Sequence, residues 1–345
     1  MSGDQIASPN PTMDPYQLLS IIINPGGTMT MDPYQRLQIV PNPDGTMTRL
    51  IKTPKTPPTS DPSLGIPVLS KDIPINQSNN TWVRLFLPRE AFDNSPTKLP
   101  LVVNYHGGGF ILFSAASSFF HDFCVNMATE LRVIIASVEY RLAPEHRLPA
   151  AYDDAVEALH WIKTAQDDWL RKYADFSTCF IMGLSAGGSM AYHAGLRAAA
   201  SADHLEPLKI RGLILQQAFF GGIPRTGSEL THINDLVLPP CVSDLMWELS
   251  LPIGVDRDHE YCNPTVGGGS KHLEKIKALG WRIFVSGCDG DPLFDRQVEF
   301  VKMLEQKGLH VSGHFGVGGF HGVEYGDPTK AKAWFRIVKD FISSC

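Results

Sequence analysis

Short apolar runs alternate with helical patterns from about residue 80 to the end of the chain. The runs that read as strands are Leu99–Tyr105, Val133–Tyr140, Cys179–Gly183, Ile210–Phe219 and Arg282–Gly287. The segments with helical patterns are Phe119–Leu131, Ala150–Ala165, Met190–Ala200, Arg296–Lys307 and Lys330–Ile342. Alternation of this kind is typical of a mostly parallel sheet covered by helices. It predicts an α/β catalytic domain over residues 49–345.

One stretch, residues 221–262, breaks this rhythm. Turn residues cluster around Gly221, Gly222 and Pro224, and a helical pattern follows near Val242–Leu249. Open α/β sheets bind their ligands at the carboxyl edge, and an insertion at this point can fold over that edge. We therefore predict that residues 221–262 form a lid.

The N-terminal part contains a tandem duplication. Residues 1–12 are polar and rich in Ser, Pro and Asn, which predicts a disordered tail. Met13–Thr30 and Met31–Thr48 then align with 13 of 18 positions identical. Two copies are too few for a solenoid, so residues 13–48 are interpreted as a local duplication associated with the cap. We expect only one copy to occupy the native docking site.

Composition excludes several classes of function. The chain of 345 residues has a net charge of −6 and no run of Lys or Arg, so neither nucleic acid nor an anionic membrane is an expected partner. The 6 cysteines lack CxxC spacing, which argues against a zinc site or a disulfide framework. No pattern indicates a metal or a cofactor. The sequence has no secretory start and no run of about 20 apolar residues, so we expect a cytoplasmic protein.

The strongest chemical signal is the GxSxG pattern of Gly183–Gly187. It directly follows an apolar strand and directly precedes a helical pattern. In isolation such a pentapeptide is more often an ordinary turn, but the strand-turn-helix setting is the one that a nucleophile elbow requires. Small flanking residues permit the sharp turn that exposes the serine hydroxyl. We identify Ser185 as the candidate nucleophile.

A second motif, His106–Gly109, follows the strand that ends at Tyr105. Three glycines after a strand can be no more than a flexible loop. Acyl transfer, however, develops a negative oxygen that backbone N–H groups stabilise. The candidates for this oxyanion hole are the N–H groups of Gly107, Gly108 and Ala186, whereas His106 is expected to have a structural role.

The base and its orienting acid should follow the serine in the order acid, then histidine. His321 lies in a Gly-rich loop before the last helix and can accept the serine proton. Three acids follow the strand that ends at Gly287, and each can also be a turn or cap residue. Asp291 is the preferred partner of His321, Asp289 is the second choice, and Asp295 is expected to cap the following helix.

Several aromatic side chains near these motifs are candidates for a substrate pocket, although core packing explains each of them equally well. They are Phe110, Phe113, Phe219, Phe220, Trp247 and Phe320. His310 and His314 are spaced as on one face of a strand, which indicates a solvated face.

Jointly, these motifs resemble those of the plant carboxylesterases in the hormone-sensitive-lipase-like branch of the α/β-hydrolases. The resemblance covers roughly residues 31–345. It rests on Leu101–Phe110, Glu139–His146, Pro149–Asp154, the serine elbow, Gly290–Pro292 and the His321 loop. It implies an eight-stranded sheet with a helical cap joined by an N-terminal segment. It also implies a Ser185, Asp291 and His321 triad that hydrolyses small esters of hydrophobic acids or alcohols.

Two residues depart from the family pattern. Leu184 replaces the usual acid before the serine, and Ser189 replaces an asparagine. The family includes dehydratases, cyclases and a hormone receptor that has lost the triad histidine. Because all three triad residues are present, we expect a serine esterase. A lyase or cyclase of specialised metabolism that uses Ser185 and His321 for proton transfer is the alternative, with a receptor third. The expected partner is a small ester or metabolite, and the expected state is a monomer or weak homodimer.

Overall fold

The centre of the molecule is an eight-stranded sheet. The structure is a computed structural model and describes residues 32–93, 98–164, 166–268 and 270–345. The strands are β1 Ile39–Pro41, β2 Met47–Arg49, β3 Val68–Asn76, β4 Thr81–Pro88, β5 Leu99–Tyr105, β6 Ile134–Glu139, β7 Ala174–Leu184, β8 Ile210–Gln216, β9 Arg282–Cys288 and β10 His310–Gly316. The sheet order is β10-β9-β8-β7-β5-β6-β4-β3, and β1 and β2 form a separate hairpin.

Helices cover both faces of this sheet. They are α1 Pro33–Leu37, α2 Arg89–Asp93, α3 Ser118–Leu131, α4 Ala150–Lys163, α5 Asp168–Tyr173, α6 Ala186–Ala200, α7 Gly227–Thr231, α8 Pro240–Ser250, α9 Leu273–Ala278, α10 Phe294–Gln306, α11 Val323–Gly326 and α12 Pro328–Ser343. None of the helices in the described ranges has the length and apolar character needed to cross a bilayer.

The strand directions bring the predicted motifs to one edge. Strand β4 is antiparallel to β3 and β6, whereas β6, β5, β7, β8, β9 and β10 run parallel. The loops after β5, β7, β9 and β10 carry His106, Ser185, Asp291 and His321. Since the carboxyl ends of parallel strands meet at the same edge, residues far apart in sequence converge there.

Burial on both faces explains why the central strands are continuously apolar. In β5, Leu101 and Val103 belong to one core cluster and Val102 to the other. Helices α4 and α6 pack on the first face, and α3 and α12 pack together on the second. Parallel strands enclosed in this way lose the alternation of polar and apolar residues that marks a half-exposed strand.

The last helix, α12, has the most clearly amphipathic sequence. It buries Ala331, Trp334, Phe335, Val338, Phe341 and Ile342. The Asp327 carboxylate precedes the helix and accepts hydrogen bonds from the N–H groups of Thr329 at 2.8 Å and Lys330 at 3.2 Å. A side-chain cap of this kind contributes about 1 kcal/mol. Sequence and cap together explain why the helix begins at Pro328.

The second copy of the duplication, described from Asp32 onwards, forms α1 and the β1–β2 hairpin. An Nη2 of Arg36 donates to the carbonyl oxygens of Asp235 at 2.8 Å and Leu236 at 2.6 Å, within the segment predicted as the lid. Arg49 lies at the end of the hairpin and forms an ion pair with Glu145 at 2.7 Å. The predicted tail and the first copy lie outside the described residues.

The predicted fold class is confirmed: it is a mostly parallel sheet of eight strands between helices. Strand β5 has the predicted bounds, while β7 begins five residues earlier and β8 ends three residues earlier than predicted. The pattern did not predict β3. Its polar sheet-edge positions, such as the half-buried Lys71 and the exposed Asp72, interrupt the apolar run that marks the buried strands.

Candidate active site

Ser185 occupies a sharp turn between β7 and α6. Its φ is +55°, a backbone conformation that non-glycine residues rarely adopt. The turn leaves no room for side chains nearby, because a Cβ on Gly183 would meet the Gly187 carbonyl carbon at 2.1 Å and one on Gly187 would meet the Tyr105 oxygen at 2.0 Å. The small residues of the motif therefore permit the turn that presents the Ser185 hydroxyl.

A continuous chain of hydrogen bonds joins three of the predicted residues. His321 Nε2 lies 2.9 Å from Ser185 Oγ, and His321 Nδ1 lies 2.9 Å from Asp291 Oδ2. The second carboxylate oxygen, Oδ1, accepts from the backbone N–H of Leu293 at 2.9 Å. Asp291 is fully buried, and Ser185 and His321 are 6% and 7% exposed. Ser185 and His321 therefore retain some access to solvent, whereas Asp291 is fully enclosed.

The two other candidate acids lie elsewhere. Asp289 is exposed and its Oδ1 accepts from the backbone N–H of Gly318 at 2.6 Å. The prediction that Asp295 caps the following helix is wrong. Helix α10 begins at Phe294, which places Asp295 in its first turn, and the Asp295 carboxylate accepts from the backbone N–H of Ser228 at 2.8 Å. That acid holds α7 beside α10.

Two opposing effects set the pKa of His321. Burial by itself lowers the pKa, because the charged imidazolium loses its water. The charge of Asp291 and its hydrogen bond raise it, Asp235 and Glu324 add to this, and the resulting pKa lies above the ordinary histidine value of 6.5. The ring is therefore a stronger base than a free imidazole.

The loop after β5 places unused N–H groups beside the serine. Among the described residues, none accepts a hydrogen bond from the backbone N–H of Gly107, Gly108 or Ala186. A Cβ on Gly107 would lie 3.3 Å from the Ser185 Cβ, and one on Gly108, whose φ is +120°, would meet the Leu112 carbonyl oxygen at 2.3 Å. The three groups predicted for an oxyanion hole are thus free and close to the nucleophile.

His106 has a structural environment. Its ring stacks on Tyr140 with 4.3 Å between centroids, and its Nδ1 lies 2.7 Å from the Gly107 oxygen. Burial lowers the pKa of His106 to about 4, so the ring is neutral and Nδ1–H donates to that oxygen. This bond fixes the first peptide of the glycine loop.

An apolar cavity opens above the serine. It encloses about 1030 Å³ of space, part of it open to solvent. Besides Ser185, the glycine loop and the His321–Gly322 pair, its lining consists of Leu37, Ile51, Leu112, Phe113, Phe119, Phe120, Leu184, Val237, Leu238, Met246 and Tyr325. Three of these residues come from the predicted lid and two from the N-terminal segment. Within the described part of the chain, no Asp, Glu, Lys or Arg lines the cavity.

The profile of a family described as the alpha/beta hydrolase fold matches residues 102–324, a range that contains the whole hydrogen-bond chain. The chain belongs to this α/β-hydrolase family. The resemblance inferred from the motifs is thereby confirmed.

Curated relatives place this hydrolase among plant carboxylesterases. It is 54% identical over 98% of its length to Carboxylesterase 20 of Arabidopsis thaliana, of which 99% is covered. It is 46% identical over 95% of its length to a 3-O-acetylpapaveroxine carboxylesterase of Papaver somniferum, of which 97% is covered. The predicted class of reaction, hydrolysis of carboxylic esters, is confirmed.

Solved structures share the fold at lower identity. An esterase from Pyrobaculum calidifontis superposes with a TM-score of 0.66 at 24% identity, covering 80% of this hydrolase and 84% of the esterase. At this identity the likeness supports the fold alone.

Of the six aromatic side chains suggested for the pocket of this hydrolase, only Phe113 lines the cavity. Phe219 stacks on Trp247 at 4.8 Å, Phe110 packs at 5.5 Å from the same indole, and Phe220 is also in the core. Phe320 precedes His321 but does not line the cavity. Of the ten other apolar side chains that line the cavity, five come from the predicted lid and the N-terminal segment, for which local sequence gives no position relative to Ser185.

The two departures from the family pattern have distinct environments in the hydrolase. Leu184 lines the cavity beside the nucleophile and is 6% exposed. Ser189 donates from Oγ to the Phe219 oxygen at 2.6 Å, which ties α6 to the segment after β8. Leu184 thus replaces the usual charge with an apolar surface at the reaction centre.

Proposed function

We propose that this hydrolase cleaves small, uncharged, largely hydrophobic carboxylic esters through an acyl-enzyme on Ser185. The observation that carries the proposal is the hydrogen-bond chain from Ser185 through His321 to Asp291 at the base of an apolar cavity. A nucleophile, a base and an orienting acid in this arrangement perform acyl transfer on several unrelated folds.

In the proposed reaction, Ser185 Oγ attacks the ester carbonyl carbon while His321 Nε2 accepts the hydroxyl proton. Asp291 holds the ring by its Nδ1–H and stabilises the imidazolium that forms. The N–H groups of Gly107, Gly108 and Ala186 donate to the negative oxygen of the tetrahedral intermediate. Collapse breaks the ester C–O bond, and His321 returns the proton to the leaving alkoxide.

A water molecule then completes the cycle. His321 accepts one of its protons, the hydroxide attacks the acyl carbon, and the Ser185 oxygen leaves with the proton returned by the imidazolium. The products are a carboxylic acid and an alcohol, with the enzyme regenerated.

The lining of the cavity supports uncharged substrates. The only ionisable lining residues described are His321 and Tyr325, so a substrate carboxylate or ammonium would lose its water without gaining a partner of opposite charge. One relative is named for an acetyl ester, 3-O-acetylpapaveroxine. Acetyl esters of neutral metabolites are therefore the first compounds to test.

The test compares p-nitrophenyl acetate, butyrate and hemisuccinate with wild type, Ser185→Ala and His321→Ala. We expect turnover of the two neutral esters, little turnover of the charged hemisuccinate, and no activity above background in either variant. A fluorophosphonate probe should label wild type but not Ser185→Ala.

Two results would contradict the proposal. One is labelling that persists in Ser185→Ala. The other is a folded wild type that hydrolyses no ester yet isomerises or dehydrates a metabolite in a His321-dependent way, which would establish the proton-transfer alternative.

A further inference from the structure

Gln217 is a buried polar residue that the proposed mechanism does not use. It directly follows β8, which lies between the strand that leads to Ser185 and the strand that leads to Asp291, and its side chain is 0% exposed. A fully buried amide is costly unless its hydrogen bonds are made, so the partners of this side chain indicate what it holds.

All partners of the Gln217 amide lie on the loop that carries the histidine or at the end of β9, the strand that leads to the acid. Oε1 accepts from the backbone N–H of Gly322 at 2.7 Å. Nε2 donates to the Phe320 oxygen at 3.2 Å and to Cys288 Sγ at 3.4 Å. The amide therefore binds the peptide groups on both sides of His321. In a flipped amide, Oε1 would face the Phe320 oxygen and Nε2 would face the N–H of Gly322, so only the unflipped orientation makes both hydrogen bonds.

The backbone of Gln217 is unusual as well. Its φ is +43°, in the left-handed region that favours Gly and Asn. Its N–H donates to the Ser286 oxygen at 2.8 Å, which joins the ends of β8 and β9. The position thus combines a strained backbone with a side chain that neither Gly nor Asn can imitate, and such a combination points to a function of the side chain.

The loop that carries His321 needs a contact of this kind. It follows β10, an edge strand that pairs only with β9 among the described strands. Val317 at the start of the loop is 82% exposed. A histidine on such a loop can shift unless its own peptide groups are bound, and a displacement of about 1 Å between reacting groups can lower a rate about 100-fold.

We propose that Gln217 is a positioning residue that holds the His321 ring within hydrogen-bond distance of Ser185. This inference rests on the proposed function. Gln217 touches neither substrate nor the reacting atoms, and it acts through the two peptide groups next to His321.

Two variants separate this role from a general effect on stability. Gln217→Met keeps the size of the side chain but removes both bonds to the histidine loop. Gln217→Asn suits the left-handed backbone better, yet its amide is withdrawn by the length of one carbon–carbon bond, about 1.5 Å. We expect both variants to lower kcat about 10- to 100-fold with KM unchanged. The melting temperature of Gln217→Asn should fall less than that of Gln217→Met, because asparagine suits the left-handed backbone better.

The matched control is Gln297→Met. Gln297 is another fully buried glutamine, and its Nε2 donates to the Ala218 oxygen at 2.6 Å in the same segment after β8. It makes no hydrogen bond to residues 320–322. We expect this variant to lose stability but keep kcat.

A proton NMR measurement gives a readout that does not depend on turnover. The Nδ1 proton of His321 bonded to Asp291 should give a far-downfield resonance that is absent in His321→Ala. It should be shifted or broadened in both Gln217 variants and unchanged in Gln297→Met. If wild type hydrolyses no ester, the proposed function fails while this resonance still decides the role of Gln217.

The inference is overturned if both Gln217 variants retain the wild-type resonance. For an active wild type, it is also overturned if kcat stays within about twofold in both variants, or if kcat falls equally in Gln297→Met.

Discussion

The carboxylates of Asp291 and Asp289 differ sharply in their hydrogen-bond partners. The Asp291 carboxylate accepts hydrogen bonds from His321 Nδ1 and from the N–H of Leu293, whereas the Asp289 carboxylate, at the surface, accepts one from the N–H of Gly318. The pair therefore offers a natural comparison at the scale of single residues.

We expect Asp291→Asn to lower kcat about 10⁴-fold, because an amide cannot hold the imidazole in the correct tautomer or stabilise its charge. Asp289→Asn, which removes the same charge but no contact to His321, should stay within about threefold of wild type. Steady-state kinetics with a neutral ester checks both. Equal losses would show that the acid has been misassigned.

The pKa of His321 predicts the pH dependence of activity. The ring must be neutral to accept a proton, so kcat/KM should fall as the pH drops through its pKa, and that midpoint should lie above 6.5. The contribution of His321 to stability depends on pH with the opposite sign. A histidine whose pKa is raised in the folded state contributes stability below its unfolded pKa, and this contribution is lost as the pH rises through the folded value.

Acidification from neutral pH should therefore reduce activity while the His321–Asp291 pair still stabilises the folded protein. A pH profile of kcat/KM and one of the melting temperature test the two signs. In Asp291→Asn, the midpoint of the residual activity should move to lower pH, since the largest of the effects that raise the pKa of His321 is lost while burial still lowers it. A wild-type midpoint at or below 6.5 would contradict the assignment.

At the scale of elements, the duplicated N-terminal segment offers a matched pair of deletions. Removing residues 13–30 or residues 31–48 leaves one copy before Arg49, and the two products differ at only five positions. At one of these, Arg36 of the second copy corresponds to Leu18 of the first. Arg36 donates to the Asp235 and Leu236 oxygens, which a leucine cannot do.

We predict that deletion of residues 13–30, or of 1–30, leaves the melting temperature and kcat/KM near wild type. Deletion of residues 31–48 should cost about 2 kcal/mol through the lost Arg36 bonds and weaken closure of the cavity. Thermal denaturation and ester kinetics measure both. The prediction fails if the deletion of residues 13–30 is the more harmful one.

The sequence predicted helices and strands better than it predicted which side chains pack against one another in the folded protein. Helix α4 begins at the predicted Ala150, and the order of the motifs predicted which residues form the hydrogen-bond chain, because parallel strands bring successive loops to one edge. Most of the predicted pocket residues were wrong because the sequence around Phe110 and Trp247 resembles that around residues that do line the cavity. Tertiary packing decides which aromatic side chains face the cavity. Leu37 and Ile51 reach it from a segment whose position depends on contacts made by Arg36 and Arg49.

At the scale of the whole molecule, the site depends on the order of the sheet. Ser185 and His321 are 136 residues apart in sequence, and the strands β8 and β9 lie between the strands that carry them. The hydrogen-bond chain therefore requires four strands to be in register at once, and no fragment of the chain that lacks β10 can contain it.

That arrangement makes catalysis a late reporter of refolding. Parallel strands joined by long crossovers pay the entropy of closing each loop before the pairing is gained, so such sheets form slowly. On dilution from denaturant, the fluorescence of the 6 tryptophans should recover as helices and partial sheets collapse, while ester turnover should return only in the slowest phase. Turnover that regains its full amplitude ahead of the fluorescence would show that the edge strand docks early.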